Sequence, residues 1–248
     1  MIRRDISMRY KGTFAGILWS FVTPLLMLVV YTFVFGFIFK ARWSESFPSS
    51  SEFALIIFPG LMVHGFFVDC VGRAPTLIVE NSNYVKKVIF PLECLSWVVA
   101  GSALFQYLVS MLVLLVFMLV LKGYIPVTFP IFLIVVGAFV PFVVGCVWLV
   151  SSLGVYLRDI KHGIGVLMTI MLFVAPIFYP VEMAPDSLRW AINFNPLTII
   201  VQQLQNVLIW GRWPEWLILI GYFLASCVFA KLSFVWFQRS RGGFADVL

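Results

Sequence analysis

The sequence predicts an all-α integral membrane protein that forms one domain with six transmembrane helices. Two observations support this prediction. Apolar residues make up 62% of the 248 residues, and charged residues only 11%. Several apolar runs are long enough to cross a bilayer as helices, which takes about 20 residues each. A chain of this length has room for about six such helices and short loops, but not for a separate soluble catalytic domain.

The positive charge of the chain is interpreted as a topology signal. The formal charge is +6, but Lys and Arg flank the apolar runs, so we expect no nucleic-acid partner. The four cysteines lie in or beside apolar runs without a CxxC pair, which favours small packed side chains over a disulfide or a metal site. They are Cys70, Cys94, Cys146 and Cys227.

Residues 1–14 begin the chain with an amphipathic pattern. Ile2, Ile6, Tyr10 and Phe14 follow one another at steps of four, and most of the Arg and Lys residues fall on the other side of a helix. This spacing fits a short helix that lies on the membrane surface. A basic tail that only sets the orientation is the alternative.

Six apolar runs are the predicted spans. They cover 16–39, 53–71, 94–121, 131–156, 163–179 and 214–237. The first contains Pro24, where we expect a kink. Its second half has an aromatic residue at every second position, which on a helix produces two stripes on opposite sides. Core packing with an interfacial aromatic belt explains these rings, and so does a path for a ligand that stacks on them.

Two connections between spans are too rich in apolar residues for simple loops. Residues 72–93 predict one or two short helices on the membrane face. Residues 181–213 are too polar to span and too apolar for a free loop, which predicts two short re-entrant helices before the last span. In the second span, His64 is interpreted as a packed or interface-facing histidine, because no chain of intramembrane acids accompanies it as a proton relay would require.

Enzyme chemistry is not indicated. The sequence has no phosphate-binding loop, HExxH or GxSxG motif. Glu182 and Asp186 stand one helical turn apart and could act as an acid and base pair, but no His or set of metal ligands accompanies them. We therefore expect no enzymatic activity and no bound cofactor in this chain.

The positive-inside rule orients the chain. Eleven Lys and Arg lie on the N-terminal side of the predicted spans, against five on the other side. Both termini are therefore expected in the cytoplasm, in agreement with an even number of spans.

Several short motifs, taken in order, resemble a known family. They are NSNYVKKVIFPLE at 81–93, YLRDI at 156–160, APIFYP at 175–180, FNPLT at 194–198 and GGFADVL at the end. This series resembles the membrane subunit of ABC exporters for polysaccharides, the permease family of O-antigen, capsule and teichoic-acid export. The resemblance covers nearly the whole chain.

The resemblance implies a half-transporter in a bacterial inner membrane. It implies a homodimer that docks two copies of a cytosolic nucleotide-binding ATPase subunit, with ATP and Mg bound on that partner, and a lipid-linked polysaccharide as cargo. Residues 1–14 would be the interface helix, 72–93 the loop with a cytoplasmic coupling helix, and 181–213 the outer re-entrant segment. An export permease of the same architecture for drugs or small lipids, or an ion-coupled flippase, is the alternative.

Three groups of residues are the candidate sites. Aromatic and amide side chains suit a sliding sugar polymer, because rings stack on sugar C–H faces and amides bond to hydroxyls. This predicts a channel path of Trp19, Tyr31, Phe35, Phe178, Tyr179 and Asn193. Contacts to the ATPase are predicted at Glu80, Tyr84 and Lys86. Arg158 and Asp159 are interpreted as an inner hinge, or as a helix cap and topology signal only.

Overall fold

The protein folds into twelve helices in the part described by the computed structural model, which is residues 1–12, 14–34, 50–86 and 90–247, with the backbone alone at 50–52 and 86. No strand occurs within these ranges. In chain order the helices are α1 (Ile2–Tyr10), α2 (Trp19–Tyr31), α3 (Ser50–Val71), α4 (Ala74–Glu80), α5 (Ser82–Lys86), α6 (Cys94–Lys122), α7 (Phe132–Tyr156), α8 (Ile160–Val174), α9 (Asp186–Phe194), α10 (Pro196–Gln205), α11 (Trp216–Arg241) and α12 (Phe244–Val247).

Five helical stretches are long and apolar enough to cross a membrane, as judged by length and composition over the described ranges. They are Gly16–Val34, Phe53–Glu80, Cys94–Lys122, Phe129–Tyr156 and Trp216–Arg241. The short fifth span of the sequence prediction corresponds to α8, an apolar helix of 15 residues. Such a helix is about 22 Å long, less than the ≈ 30 Å hydrocarbon core. The count of six spans therefore stays a prediction.

Helix α7 forms the centre of the bundle and packs along both α4 and α11. Lipid tails are as apolar as Leu, so close van der Waals packing holds such helices together, and small residues permit it. A Cβ added at Gly145 would lie 3.0 Å from the Cα of Ala230 in α11. A Cβ at Gly154 would overlap the carbonyl oxygen of Pro75 in α4. Two glycines thus set the spacing of these three helices.

Helix α4 is a packed element rather than a free surface helix. The chain leaves α3 through a turn at Gly72, whose N–H donates to the carbonyl of Val68 at 2.8 Å. Along α4 the buried residues are Ala74, Pro75, Leu77 and Ile78, and Val79 and Glu80 are exposed. Because the buried side of α4 rests on α7, only its last turn is open.

The two ends of the bundle differ in most of the polar contacts that join distant parts of the chain. At one end, here called the basic end, Arg9, Arg73 and Arg241 form ion pairs. At the opposite end, here called the far end, backbone carbonyls accept from side chains. Thr128 donates to Val207 at 2.6 Å, and Gln205 donates to Ile56 at 3.1 Å.

Helix α11, which contains the last predicted span, ends later than that span was predicted to end. Its expected end was residue 237, but α11 continues to Arg241. Arg241 lies 3.3 Å from the Glu93 carboxylate and donates to the Phe90 carbonyl at 3.4 Å, and these contacts hold the final turn against the start of α6. Residues 35–39 of the predicted first span lie outside the described residues.

The segment predicted to hold two re-entrant helices contains α9 and α10. A 3-10 turn at Val181–Met183 precedes them, and a π-helical turn at Asn206–Trp210 follows. Asn195 separates the two helices and accepts a hydrogen bond from the Leu197 N–H at 3.0 Å, which caps α10. Their placement in a membrane leaflet stays a prediction.

Candidate functional site

Two crossed ion pairs fix α1 to the junction of α3 and α4. Arg73 donates to both carboxylate oxygens of Asp5, at 2.9 and 3.1 Å. Arg9 pairs with Asp69. Asp5 and Arg9 stand four residues apart on α1, as do Asp69 in α3 and Arg73 just before α4, so each acid faces the base of the other pair. Asp5, Arg9, Asp69 and Arg73 are called the four-charge cluster below.

The ion pairs of the cluster shift the pKa values of Asp5 and Arg9, its two members on α1, so that the charged form of each is favoured. Partial burial alone would raise the pKa of Asp5, but hydrogen bonds from Arg73 and Ser102 and the charge of Arg73 outweigh it, so this pKa lies below its ordinary value. Burial alone would lower the pKa of Arg9, but Asp69 raises it above its ordinary value. Both groups therefore remain charged at neutral pH.

Polar and apolar contacts to α6 complete the docking of α1. The Tyr10 hydroxyl donates to the Gln106 side-chain oxygen at 2.7 Å, and the Gln106 amide donates to the Ser20 carbonyl at 2.8 Å. Ile2 lies against Gly101, where an added Cβ would come within 2.5 Å of its terminal methyl. The first helix is thus a fitted part of the bundle, not an unattached tail.

A cavity of ≈ 460 Å³ opens beside the four-charge cluster and is here called the membrane cavity. It lies between α1, α2, α3 and α6, and Leu172 of α8 closes one side. Residues that give it polar character are Arg9, Asp69, His64, Gln106, Tyr107 and Tyr31. His64 Nε2 lies 2.9 Å from the Met168 carbonyl; since a carbonyl oxygen only accepts, Nε2 carries the proton.

Some residues of the predicted channel path come together. The rings of Tyr31 and Phe178 are 6.3 Å apart, and Phe178 is 6.3 Å from Phe173. These three rings form the aromatic cluster. The Tyr179 hydroxyl donates to the carbonyls of Phe173 and Val174, at 2.9 and 3.2 Å, and so binds the end of α8.

The other path residues lie apart from this cluster. Trp19 begins α2 twelve residues before Tyr31, about 18 Å away along the helix. Asn193 is exposed on α9. Phe35 lies outside the described residues. Phe173 was not predicted as a path residue, because in the sequence it is only one member of an apolar run.

The predicted ATPase contacts surround the open end of α4. Glu80 is exposed in the last turn of α4. Tyr84 lies on α5 and packs against Phe90, with ring centres 4.9 Å apart. Lys86 ends α5, and its side chain is not among the described ones. The predicted loop thus contains two short helices, and its coupling role stays a prediction.

The predicted hinge residues lie between α7 and α8, where three residues separate the two helices. Arg158 and Asp159 are both exposed. Asp159 occupies the N-cap position of α8, yet its side chain makes no capping hydrogen bond there. Both interpretations of these residues, as an inner hinge or as a helix cap and topology signal only, stay predictions.

A polar pocket of ≈ 220 Å³ at the far end was not predicted as a site. Its polar or aromatic lining residues are Glu182, Gln202, Gln205, Asn206, Trp210 and Glu215. It is called the amide pocket. The signal in the sequence was the spacing of the amides at 202, 205 and 206, which places them on one side of a helix.

The two acids considered as a catalytic pair are both linked to Arg189. Asp186 pairs with Arg189 at 2.7 Å, and Arg189 also donates to the backbone carbonyl of Glu182 at 3.0 Å. Across the described ranges, no group of three or more His, Cys, Asp or Glu is placed to hold a metal ion.

Apolar spans around an anchored basic-end helix define a multi-pass helical membrane protein. The sequence comparison makes this class specific: residues 1–209 match the ABC-2 type transporter family, and the chain belongs to that family. The predicted resemblance to an ABC transporter permease is thereby confirmed.

Two curated relatives extend the match over nearly the full length. The O-antigen export system permease protein RfbA of Myxococcus xanthus is 25% identical over 250 residues, which cover 99% of this chain and 93% of that protein. A protein of the same name from Klebsiella pneumoniae is 24% identical over 247 residues, covering 99% and 92%.

Proposed function

We propose that this chain is the permease half of an ABC exporter that moves a lipid-linked polysaccharide, O-antigen or a related polymer, across a bacterial inner membrane. The observation that carries the proposal is the similarity to the two O-antigen export permeases, which extends over 99% of the chain. Membership of the ABC-2 family supports a transport role for a membrane subunit.

The chemistry of the candidate path suits a sugar polymer. The aromatic cluster offers ring faces at the end of α2 and α8, and the amide pocket offers amides, carboxylates and the Trp210 ring. Sugars present apolar C–H faces and many hydroxyls, which rings and amides bind without holding the polymer fast.

The proposed topology has six spans, with α8 as a short fifth span and α9 and α10 as re-entrant helices at the outer face. Both termini and the basic end lie in the cytoplasm under this proposal. The excess of Lys and Arg on the N-terminal side supports this orientation. The amide pocket then lies near the outer exit.

The motor is proposed to be a separate ATPase subunit, which binds ATP and Mg. Two copies would dock on a homodimer of this chain, at Glu80, Tyr84 and Lys86. The exposed last turn of α4 supports this position, because α4 rests on α7 and is joined to α1 through Arg73. Motion applied at this turn would be passed directly to α4, α7 and α1.

Gene deletion with complementation tests the cargo. We expect the deletion strain to lose its surface polysaccharide and to accumulate the polymer inside the cell, and the wild-type gene to restore export. Normal surface polysaccharide in the deletion strain would overturn the proposal. Accumulation of a small lipid or a drug instead of polymer would assign the chain to an exporter of a different cargo.

A further inference from the structure

The proposed export function gives no role to the membrane cavity. Along α3 it extends from Asp69 at the basic end to Phe58. These residues are eleven positions apart, about 16 Å along a helix. That length is about half of the ≈ 30 Å hydrocarbon core, which is the depth of one leaflet.

The cavity is charged at one end and mostly apolar along its length, where His64 and Tyr31 are the exceptions named above. Its polar end is formed by Arg9, Asp69 and Gln106, where α1 meets α3 and α6. Phe58, Met62 and Leu172 line it further from the basic end. A site with a charged mouth and an apolar interior fits an amphiphile whose head stays at the membrane surface.

Tyr107 is a second, independent indication of a ligand. It lines the cavity and is only 3% exposed, yet its hydroxyl has no hydrogen-bond partner among the described residues. A buried hydroxyl left without a partner costs free energy, so such groups are normally satisfied by protein, water or a bound molecule. An ester or hydroxyl group of a bound amphiphile would supply the missing partner.

We propose that the membrane cavity binds one anionic phospholipid of the leaflet at the basic end. The phosphate contacts Arg9, one acyl chain lies along α3 towards Phe58, and an ester group of the lipid accepts from the Tyr107 hydroxyl. Arg9 has five N–H donors, and its partners here are Asp69 and Tyr10, so donors remain for a phosphate.

Charge selects an anionic lipid over a neutral one. Arg3 and Arg4 are exposed on the same short helix as Arg9, and Asp5 is the only acid of α1. Basic residues near a membrane surface attract anionic headgroups. The site needs only a membrane around the bundle, so it does not depend on which cargo is exported.

Two glycines offer a matched pair of variants for the test. A Cβ at Gly65 meets nothing within 4 Å, and Gly65 lines the cavity. A Cβ at Gly137 on α7 also meets nothing within 4 Å, but Gly137 lies outside the cavity. Gly65→Leu therefore fills the cavity, and Gly137→Leu makes the same change elsewhere.

The experiment counts bound lipids on the purified full-length protein by native mass spectrometry, while phosphatidylglycerol or phosphatidylcholine is added. We expect one phosphatidylglycerol bound roughly fivefold more tightly than phosphatidylcholine, the effect of about one basic side chain. Gly65→Leu should weaken this binding roughly tenfold by excluding part of the acyl chain. Gly137→Leu should leave it unchanged.

Two further variants keep the test decisive if Gly65→Leu does not fold. Arg9→Gln with Asp69→Asn removes both charges together and should reduce the preference for phosphatidylglycerol, because the phosphate loses Arg9 while Arg3 and Arg4 remain. Tyr107→Phe should weaken binding of both lipids without lowering the Tm, because it removes only a hydroxyl that has no protein partner.

Several results would overturn the proposal. These are equal binding of the two lipids, unchanged binding in Gly65→Leu, and an unchanged preference in the Arg9 and Asp69 double variant. Displacement of phosphatidylglycerol by much lower concentrations of a polyprenyl phosphate would identify the occupant as the cargo's lipid carrier instead, and would also contradict a bilayer phospholipid.

Discussion

At the basic end, four charged residues explain how α1 is held in the bundle. Asp5 and Arg9 on α1, and Asp69 and Arg73 at the α3–α4 junction, each stand four residues apart and pair crosswise. The sequence shows both spacings. It does not show that they meet, because that depends on how α1 lies across the bundle.

A charge exchange tests this pairing. Asp5→Arg or Arg73→Asp alone places two like charges together, and each should lower the free energy of unfolding by about 1–2 kcal/mol, between the values for exposed and buried pairs. The double variant restores the pair with its direction reversed, so it should recover most of the loss. Thermal unfolding measures this. A double variant as unstable as the sum of both singles would contradict the pairing.

The Asp5 carboxylate also predicts a pH dependence. Its pKa in the folded protein lies below the ordinary value of 3.8, so its stabilising effect is present above that pH and is lost as the pH falls through the folded-state pKa. The difference in Tm between wild type and Asp5→Asn should therefore be constant from neutral pH down to about pH 5. It should shrink in more acidic solution, and a difference that grows on acidification would show that Asp5 is not held as a carboxylate.

At the scale of helices, long apolar elements were predictable and short ones were less so. The limits of α6 and α7 agree with the sequence within a residue because each is an uncharged run closed by turn residues. The extension of α11 depends on Arg241 reaching Glu93, a contact between distant parts of the chain. Local sequence does not show such a contact. The spacing of the amides at 202, 205 and 206 is visible in the sequence, but Glu182 and Glu215, which also line the amide pocket, come from other segments.

The contact between α4 and α7 provides a prediction at this scale. Gly154→Ala introduces a methyl group where the Pro75 carbonyl lies, so α4 must move away from α7. Overpacking of this kind costs about 1–3 kcal/mol, and a lower Tm is expected. Gly137→Ala on the same helix has free space around the new methyl and should leave the Tm unchanged or slightly raised. Equal effects of the two variants would argue against the close approach.

The aromatic cluster joins α2 to the end of α8 and predicts an export phenotype. Tyr31→Ala removes a ring that contacts Phe178, and it should reduce surface polysaccharide roughly two- to tenfold, the value of one ring interaction. Tyr31→Phe keeps the ring and should export normally. Both should reach the membrane in equal amounts, which immunoblotting of membranes checks. Normal export by Tyr31→Ala would exclude this ring from the path.

On the scale of the whole molecule, the ion pairs that join the helices in the described part of the chain are gathered at one end of the bundle. Helix α1 is tied to the α3–α4 junction, α4 rests on α7, and α11 is tied to α6. A force applied at the open turn of α4 would reach the long helices α3, α7, α11 and α6 without crossing a flexible loop. The membrane class, the family and the basic end follow from composition and motifs, but the connections among these helices required the structure.

The central claim is that a separate ATPase drives this chain. Affinity purification of the tagged protein from its native membrane tests it most directly, with Glu80→Lys compared with Glu182→Lys, the same change at an exposed acid of the far end. We expect a protein with a phosphate-binding loop to copurify in equal amount, to be largely lost in Glu80→Lys and to be retained in Glu182→Lys. Export-competent protein that purifies without any ATPase would contradict it.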